Sequence, residues 1–241
     1  MAEPNKMRCD VEPAFVLHSY PYLETSLLVE TLTKAHGRVP LVARGARRPR
    51  SALRSTLLLF QPLLVSWSGK SELRTLHKVE WQGGLPPLKG NALLCGFYLN
   101  ELMMKLLPRE APHEQLFEEY RQSLQRLATD NNYAVALRRF EKQLLKEIGY
   151  ALILDRDAAT GNPIDAGLNY SYVVERGPVR INGSSHSLEL SGGTLLNLLH
   201  DDYSNPVTLQ QSRALMRLLI NHHLNGQVLY TRQLLSDLRQ L

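Results

Sequence analysis

Eight basic side chains, Lys34, Arg38, Arg44, Arg47, Arg48, Arg50, Arg54 and Lys70, fall between Thr31 and Ser71, and no acidic residue interrupts them. The chain as a whole carries a formal +5, so the remainder stands at −3 once these eight are set aside. An uncompensated basic segment repels itself and projects a positive field, a cost that suits a polyanionic partner and backbone phosphates in particular. A merely solubilising surface mixes both signs. Arg44, Arg47, Arg48, Arg50 and Arg54 are therefore the leading phosphate candidates, with Lys34 and Arg38 on the adjacent hairpin. Guanidinium groups suit this work because they stay charged and present a planar fork of donors.

Other residues with catalytic or metal-binding side chains fit no complete template. Leu152-Ile153-Leu154-Asp155-Arg156-Asp157 is an apolar run ending in two spaced aspartates, superficially like the nucleophile strand of a phosphatase or an EF-hand loop. Ala159 and Thr160 break both templates, and no parallel α/β pattern surrounds them. Asp201-Asp202 and His222-His223 are adjacent pairs, and neighbours on a helix point about 100° apart, which disfavours a shared metal. Cys9 and Cys95 are far apart and form no C-x-x-C pair, so the thiols alone build neither a disulfide framework nor a zinc site. No Ser-His-Asp spacing, P-loop or dinucleotide fingerprint occurs. The expectation is a protein without catalytic residues, metal or cofactor. A metal-dependent nuclease or phosphatase using the Asp155 region is the competing enzyme reading.

The elements that must carry these residues change character once along the chain. From Ala14 to Trp81, short β-branched and aromatic runs alternate with turn formers. They predict strands at Ala14–Ser19, Thr25–Leu32, Arg38–Arg44, Leu57–Trp67 and Leu73–Val79, with Pro62 marking a bulge or an edge. Five short strands without intervening helices suggest a small barrel, either an oligonucleotide-binding (OB) fold or an SH3-like one. Gly83-Gly84-Leu85-Pro86-Pro87 ends this pattern, and the period then becomes helical. The chain divides into a barrel over 1–82 and a helical domain over 83–241.

Helices are expected over 91–107, with Leu94, Phe97, Tyr98, Leu102 and Leu106 inward, then over 112–127 and 133–148, the last ending at Gly149. An irregular stretch over 152–190 follows, with turn signals at Thr160-Gly161-Asn162-Pro163, Gly177-Pro178 and Asn182-Gly183 and short β-like runs at Leu168–Glu175 and Val179–Ile181 that suggest a small hairpin. A short helix at 194–200 precedes a long one opened by Asn205-Pro206. Thr231 is expected to cap a last amphipathic helix carrying Leu234, Leu235 and Leu238. No apolar run approaches the length of a membrane span, and the first residues lack a signal-peptide pattern, which reads as cytoplasmic.

Several stretches together resemble the RecO family of bacterial recombination mediators. They are Ala14-Phe15-Val16-Leu17, Glu24-Thr25-Ser26-Leu27-Leu28, Gly37-Arg38 and Val42-Ala43-Arg44-Gly45-Ala46-Arg47. Tyr98-Leu99-Asn100-Glu101-Leu102, Leu137-Arg138-Arg139-Phe140-Glu141 and Thr231-Arg232-Gln233-Leu234-Leu235 continue the likeness. The resemblance implies an α+β fold: an N-terminal five-stranded OB barrel followed by an α-helical C-terminal domain. It also implies a non-enzymatic role in recombinational repair of DNA damage by the RecF pathway, in the bacterial cytoplasm at the nucleoid. Implied partners are single- and double-stranded DNA, RecR, the C-terminal tail of single-stranded DNA-binding protein and, indirectly, RecA. Implied actions are annealing of complementary strands and help in loading RecA. Arg138 and Arg139 are the residues expected to hold the acidic tail, Arg138 foremost. Some family members carry a four-cysteine zinc module where this chain has Leu152–Val174, which contains no cysteine, so no zinc is expected. The alternative binding class is another OB-fold adaptor for RNA or tRNA.

Overall fold

A computed structural model describes residues 8–70, 72–130, 132–181 and 188–238, with side chains up to 234. Five strands, β1 (Arg8–Tyr22), β2 (Ser26–Thr33), β3 (Gly37–Ala43), β4 (Leu63–Ser68) and β5 (Arg74–Trp81), close into a barrel in the order β1-β2-β3-β5-β4. All pairings are antiparallel except β3 with β5, where Leu41 opposes Arg74 and Val42 opposes Thr75. A period of two places alternate residues inside. Val39, Leu41 and Ala43 of β3 and Leu63, Val65 and Trp67 of β4 fill the barrel with Ala14, Val16, Val29 and Leu76.

β1 is buried on both faces over 14–17, because helices cover its outer side. Phe15 packs against Phe117 and Tyr120, with ring centroids 5.3 and 5.1 Å apart. Asn100 donates to the Leu17 carbonyl at 2.8 Å and accepts from the Tyr120 hydroxyl at 2.5 Å. Those side chains come from α2 (Gly90–Leu106) and α3 (Glu114–Thr129). Among the described residues, one compact unit accordingly runs from 8 to 130 and takes in 229–238, and a second lies within 132–228. The barrel strands themselves end at Trp81.

The expected fourth strand is shorter than its apolar run. Ala52–Thr56 forms a short helix, α1, and Phe60 adopts a positive φ of 63°. Pro62 lacks the N–H that a ladder needs, so pairing starts at Leu63. Leu57 and Leu59 still pack against the barrel core, and Leu59 makes a single parallel bridge to Val16 rather than a ladder. Phe97, expected inward, is 38% exposed and meets Phe60 edge-on at 5.3 Å.

The second unit holds α4 (Tyr133–Glu147), a three-stranded sheet of β6 (Asn169–Val173), β7 (Gly177–Arg180) and β8 (Glu189–Ser191), then α5 (Gly192–Leu199) and α6 (Pro206–His223). The irregular stretch thus contains the expected hairpin, β6 with β7, plus a third strand. Asn182-Gly183 lies outside the described residues. Asn205 caps α6 by accepting from the Val207 N–H at 2.9 Å. Gly149 and Gly226, which follow α4 and α6, take the left-handed conformation that ends a helix without a Cβ penalty.

The last helix, α7 (Tyr230–Leu238), belongs to the first unit. Thr231 is not its cap. The Glu101 carboxylate of α2 accepts the Tyr230 and Thr231 N–H groups at 2.9 Å each, and the Thr231 hydroxyl at 2.7 Å. An anion at these N–H groups also complements the helix dipole. The side chains of Leu235 and Leu238 lie outside the described residues.

Candidate nucleic-acid interface

The loop from β3 to α1 carries the basic cluster. Gly45 takes a φ of 71°, and Ala46 turns inward and is fully buried, which anchors the loop on the barrel. The Arg47 N–H donates to the Thr25 carbonyl at 2.9 Å, and its guanidinium donates to the Leu23 and Glu24 carbonyls at 3.2 Å each. Pinned this way, the loop presents Arg44, Arg47, Arg48 and Arg50 to solvent, and α1 adds exposed Arg54. Among the described residues, none of the five pairs with a carboxylate. Their field is therefore uncancelled locally.

Lys34 and Arg38 lie at the other end of β3, roughly 20 Å away at the usual strand rise of about 3.3 Å per residue. Lys34 pairs with Glu118 at 3.4 Å. The Arg38 side chain is only 13% exposed, with its Nε 3.9 Å from Glu30. Its guanidinium donates to the Met104 carbonyl and, at 3.5 Å, to that of Met103. A cation there complements the negative end of α2. Burial pulls the Arg38 pKa below its ordinary value, with Glu30 opposing and Arg109 adding to the fall. Buried Glu30 also pairs with Arg109. Arg38 is thus turned into the protein rather than toward the exposed cluster.

In the second unit, Arg138 is buried and grips fully buried Glu141 through two contacts of 2.7 and 2.8 Å. Arg139 is half-buried and donates to the Asp201 carbonyl at 3.3 Å. Lys142 reaches the Asp201 carboxylate at 2.6 Å and the Leu198 carbonyl at 2.7 Å. The buried Tyr203 hydroxyl has no hydrogen-bond partner among the described residues. Burial and Asp201 push its pKa up, with Arg139 and Arg138 pulling the other way. This corner gathers cationic and hydroxyl donors, but Arg138 is committed to Glu141. Lys142 escaped notice in the sequence, although its i+3 and i+4 spacing from Arg139 and Arg138 puts it on the same helix face.

Residues 7–84 match the family model Recombination protein O N terminal, and residues 87–231 match Recombination protein O C terminal. The chain belongs to the RecO family. It is 56% identical over 239 residues to the DNA repair protein RecO of Nitrosospira multiformis, covering 98% of this chain and 99% of that one. The RecO of Aromatoleum aromaticum is 52% identical over 237 residues, with the same coverage. The RecO of Thiobacillus denitrificans is 50% identical over 243 residues, covering 97% of this chain and 94% of that one.

On the barrel of this RecO chain, Phe15, Phe60 and Trp67 are core residues. Tyr20 is 42% exposed and stacks beside His18, with ring centroids 4.3 Å apart. Trp81, which sequence reasoning passed over, is also exposed, and its indole N–H donates to Gln61 at 3.0 Å. Asp157 is a backbone staple: it accepts the N–H groups of Ala159 at 2.7 Å, Arg180 at 3.0 Å and Thr160 at 3.1 Å. Burial raises its pKa, but these donors and the Arg176 charge outweigh that, and the net shift is downward. No described helix is long and apolar enough to cross a membrane.

Proposed function

We propose that this RecO chain is a DNA-binding mediator of recombinational repair that breaks no bonds. It binds single- and double-stranded DNA, anneals complementary strands and, with RecR, helps load RecA onto DNA coated by single-stranded DNA-binding protein. The observation that carries this reading is the set of five exposed arginines on the β3–α1 loop and α1, unpaired with carboxylates among the described residues. Neutralising phosphates releases counterions, so the affinity follows salt rather than sequence. Two strands on one positive surface repel each other less, and base pairing supplies recognition. The acidic tail of the single-stranded DNA-binding protein is assigned to the corner formed by Arg139 and Lys142, with Arg138 as the buried support beneath it. Charge-assisted bonds to a tail carboxylate are the strong kind. Against the hydrolytic reading of this region, the Asp157 oxygens are occupied by backbone N–H groups of Ala159, Thr160 and Arg180.

A strand-annealing assay on complementary oligonucleotides, with and without bound single-stranded DNA-binding protein, tests the proposal. Annealing without nucleotide, lost in the Arg47→Glu, Arg48→Glu, Arg50→Glu triple variant, is the expected result. No annealing by the wild type overturns it. A strong preference for RNA moves the chain to the adaptor class.

A further inference from the structure

We infer that Cys9, Glu12 and His36 form a binding site for a borderline divalent cation of the zinc class. Their donor atoms, a thiol sulfur, a carboxylate oxygen and an imidazole nitrogen, all lie within 4.8 Å of one another. This site is separate from the arginine loop and from the cysteine-free 152–174 stretch.

The strand explains how the three meet. Residues three apart on an uninterrupted strand point to opposite faces. Between Cys9 and Glu12, however, the pairing with β4 slips: Cys9 opposes Trp67 and Glu12 opposes Val65, so β1 carries one extra residue. Such a bulge re-aims side chains, and here it brings Cys9 and Glu12 together. The β2–β3 turn supplies the third donor. Gly37 allows that turn, with a φ of 67° and so close an approach to Ala111 that a Cβ would sit 1.8 Å from its carbonyl oxygen.

Two observations point to a ligand rather than to a chance cluster. The His36 Nδ1 is buried and has no hydrogen-bond partner among the described residues, at 3.6 Å from the Glu12 carboxylate. Glu12 is only 6% exposed, and the Ala35 N–H orients one of its oxygens at 2.5 Å. Nitrogen and oxygen donors around tetrahedral zinc stand roughly 3.3–3.6 Å apart, given bonds of about 2.0–2.2 Å. The observed separation already fits. Trp67 packs edge-on against the His36 ring at 5.2 Å and fixes its plane. Arg74, a nearby charge that opposes a cation, is neutralised by Glu110 at 2.8 Å. With three protein donors, the fourth position falls to water, and the ion clips the start of β1 to the β2–β3 turn.

The test uses tag-free full-length protein, stripped with chelator and titrated with Co2+. One equivalent should produce a thiolate-to-cobalt charge-transfer band that zinc abolishes. Cys95→Ser should keep the band, Cys9→Ser should lose it, and His36→Gln should weaken zinc binding by about tenfold or more. Zinc should also raise the Tm of the wild type but not that of Cys9→Ser, with circular dichroism confirming that the variant is folded. Absence of the band in the wild type overturns the site, as does its persistence in Cys9→Ser. DNA binding by the arginine loop is a separate readout that neither result decides.

Discussion

Replacing Arg47, Arg48 and Arg50 together by Gln removes three charges from the β3–α1 loop while orphaning no carboxylate among the described residues. Neutralising one phosphate of a single strand releases about 0.7 of a counterion, worth about 1 kcal/mol at 0.1 M salt. Three lost contacts then amount to about 3 kcal/mol, or roughly a 100-fold rise in Kd. If all five exposed arginines reach phosphates, log K falls with log salt at a slope of about −3.5, and the triple variant retains about −1.4. Anisotropy titrations of a labelled oligonucleotide at several salt concentrations measure both quantities. Arg47 also holds the Leu23 and Glu24 carbonyls, so thermal denaturation must show that the variant remains folded. A folded variant with the wild-type slope refutes the placement of DNA on this loop.

Arg138→Ala removes the guanidinium that grips the fully buried Glu141 carboxylate and should cost about 3–5 kcal/mol in urea denaturation. Arg139→Ala should stay within about 0.5 kcal/mol of the wild type yet weaken binding of the acidic tail peptide, measured by calorimetry. Tyr120→Phe deletes the donor to Asn100 deep under β1 and should lower stability by about 1–3 kcal/mol, visible as a shifted urea midpoint with unchanged slope. The lowered Asp157 pKa means that its contribution is present above the ordinary carboxylate value near ~4 and is lost as the pH falls through the lower folded value. Asp157→Asn should therefore reduce stability at neutral pH and flatten the acid limb of a stability–pH curve.

The barrel and most helices were legible because their signals are local. Val39, Leu41 and Ala43 alternate as a half-buried strand must, and Asn205-Pro206 spells out a helix start. What escaped was set by distant partners. The Leu57–Leu59 apolar run reads as strand, yet Phe60 and Pro62 deny it a ladder, and it packs as irregular chain. Thr231 looks like a cap, but Glu101 does that work from 130 residues away. The basic cluster was visible as charge, whereas the sorting of Arg38 and Arg138 into buried pairs depended on Glu30 and Glu141 being buried too. The Cys9–Glu12 pairing was hidden because the bulge exists only where β1 meets β4.

The carboxylate of Glu101 gives the order of synthesis a physical meaning. Tyr230 and Thr231 leave the ribosome only after the whole of Asn132–Val228, so they are the last donors to reach a carboxylate that Lys105 already faces at 3.9 Å. Glu101→Ala should loosen the returning helix, which Arg232 on Tyr98 still tethers at 2.8 Å.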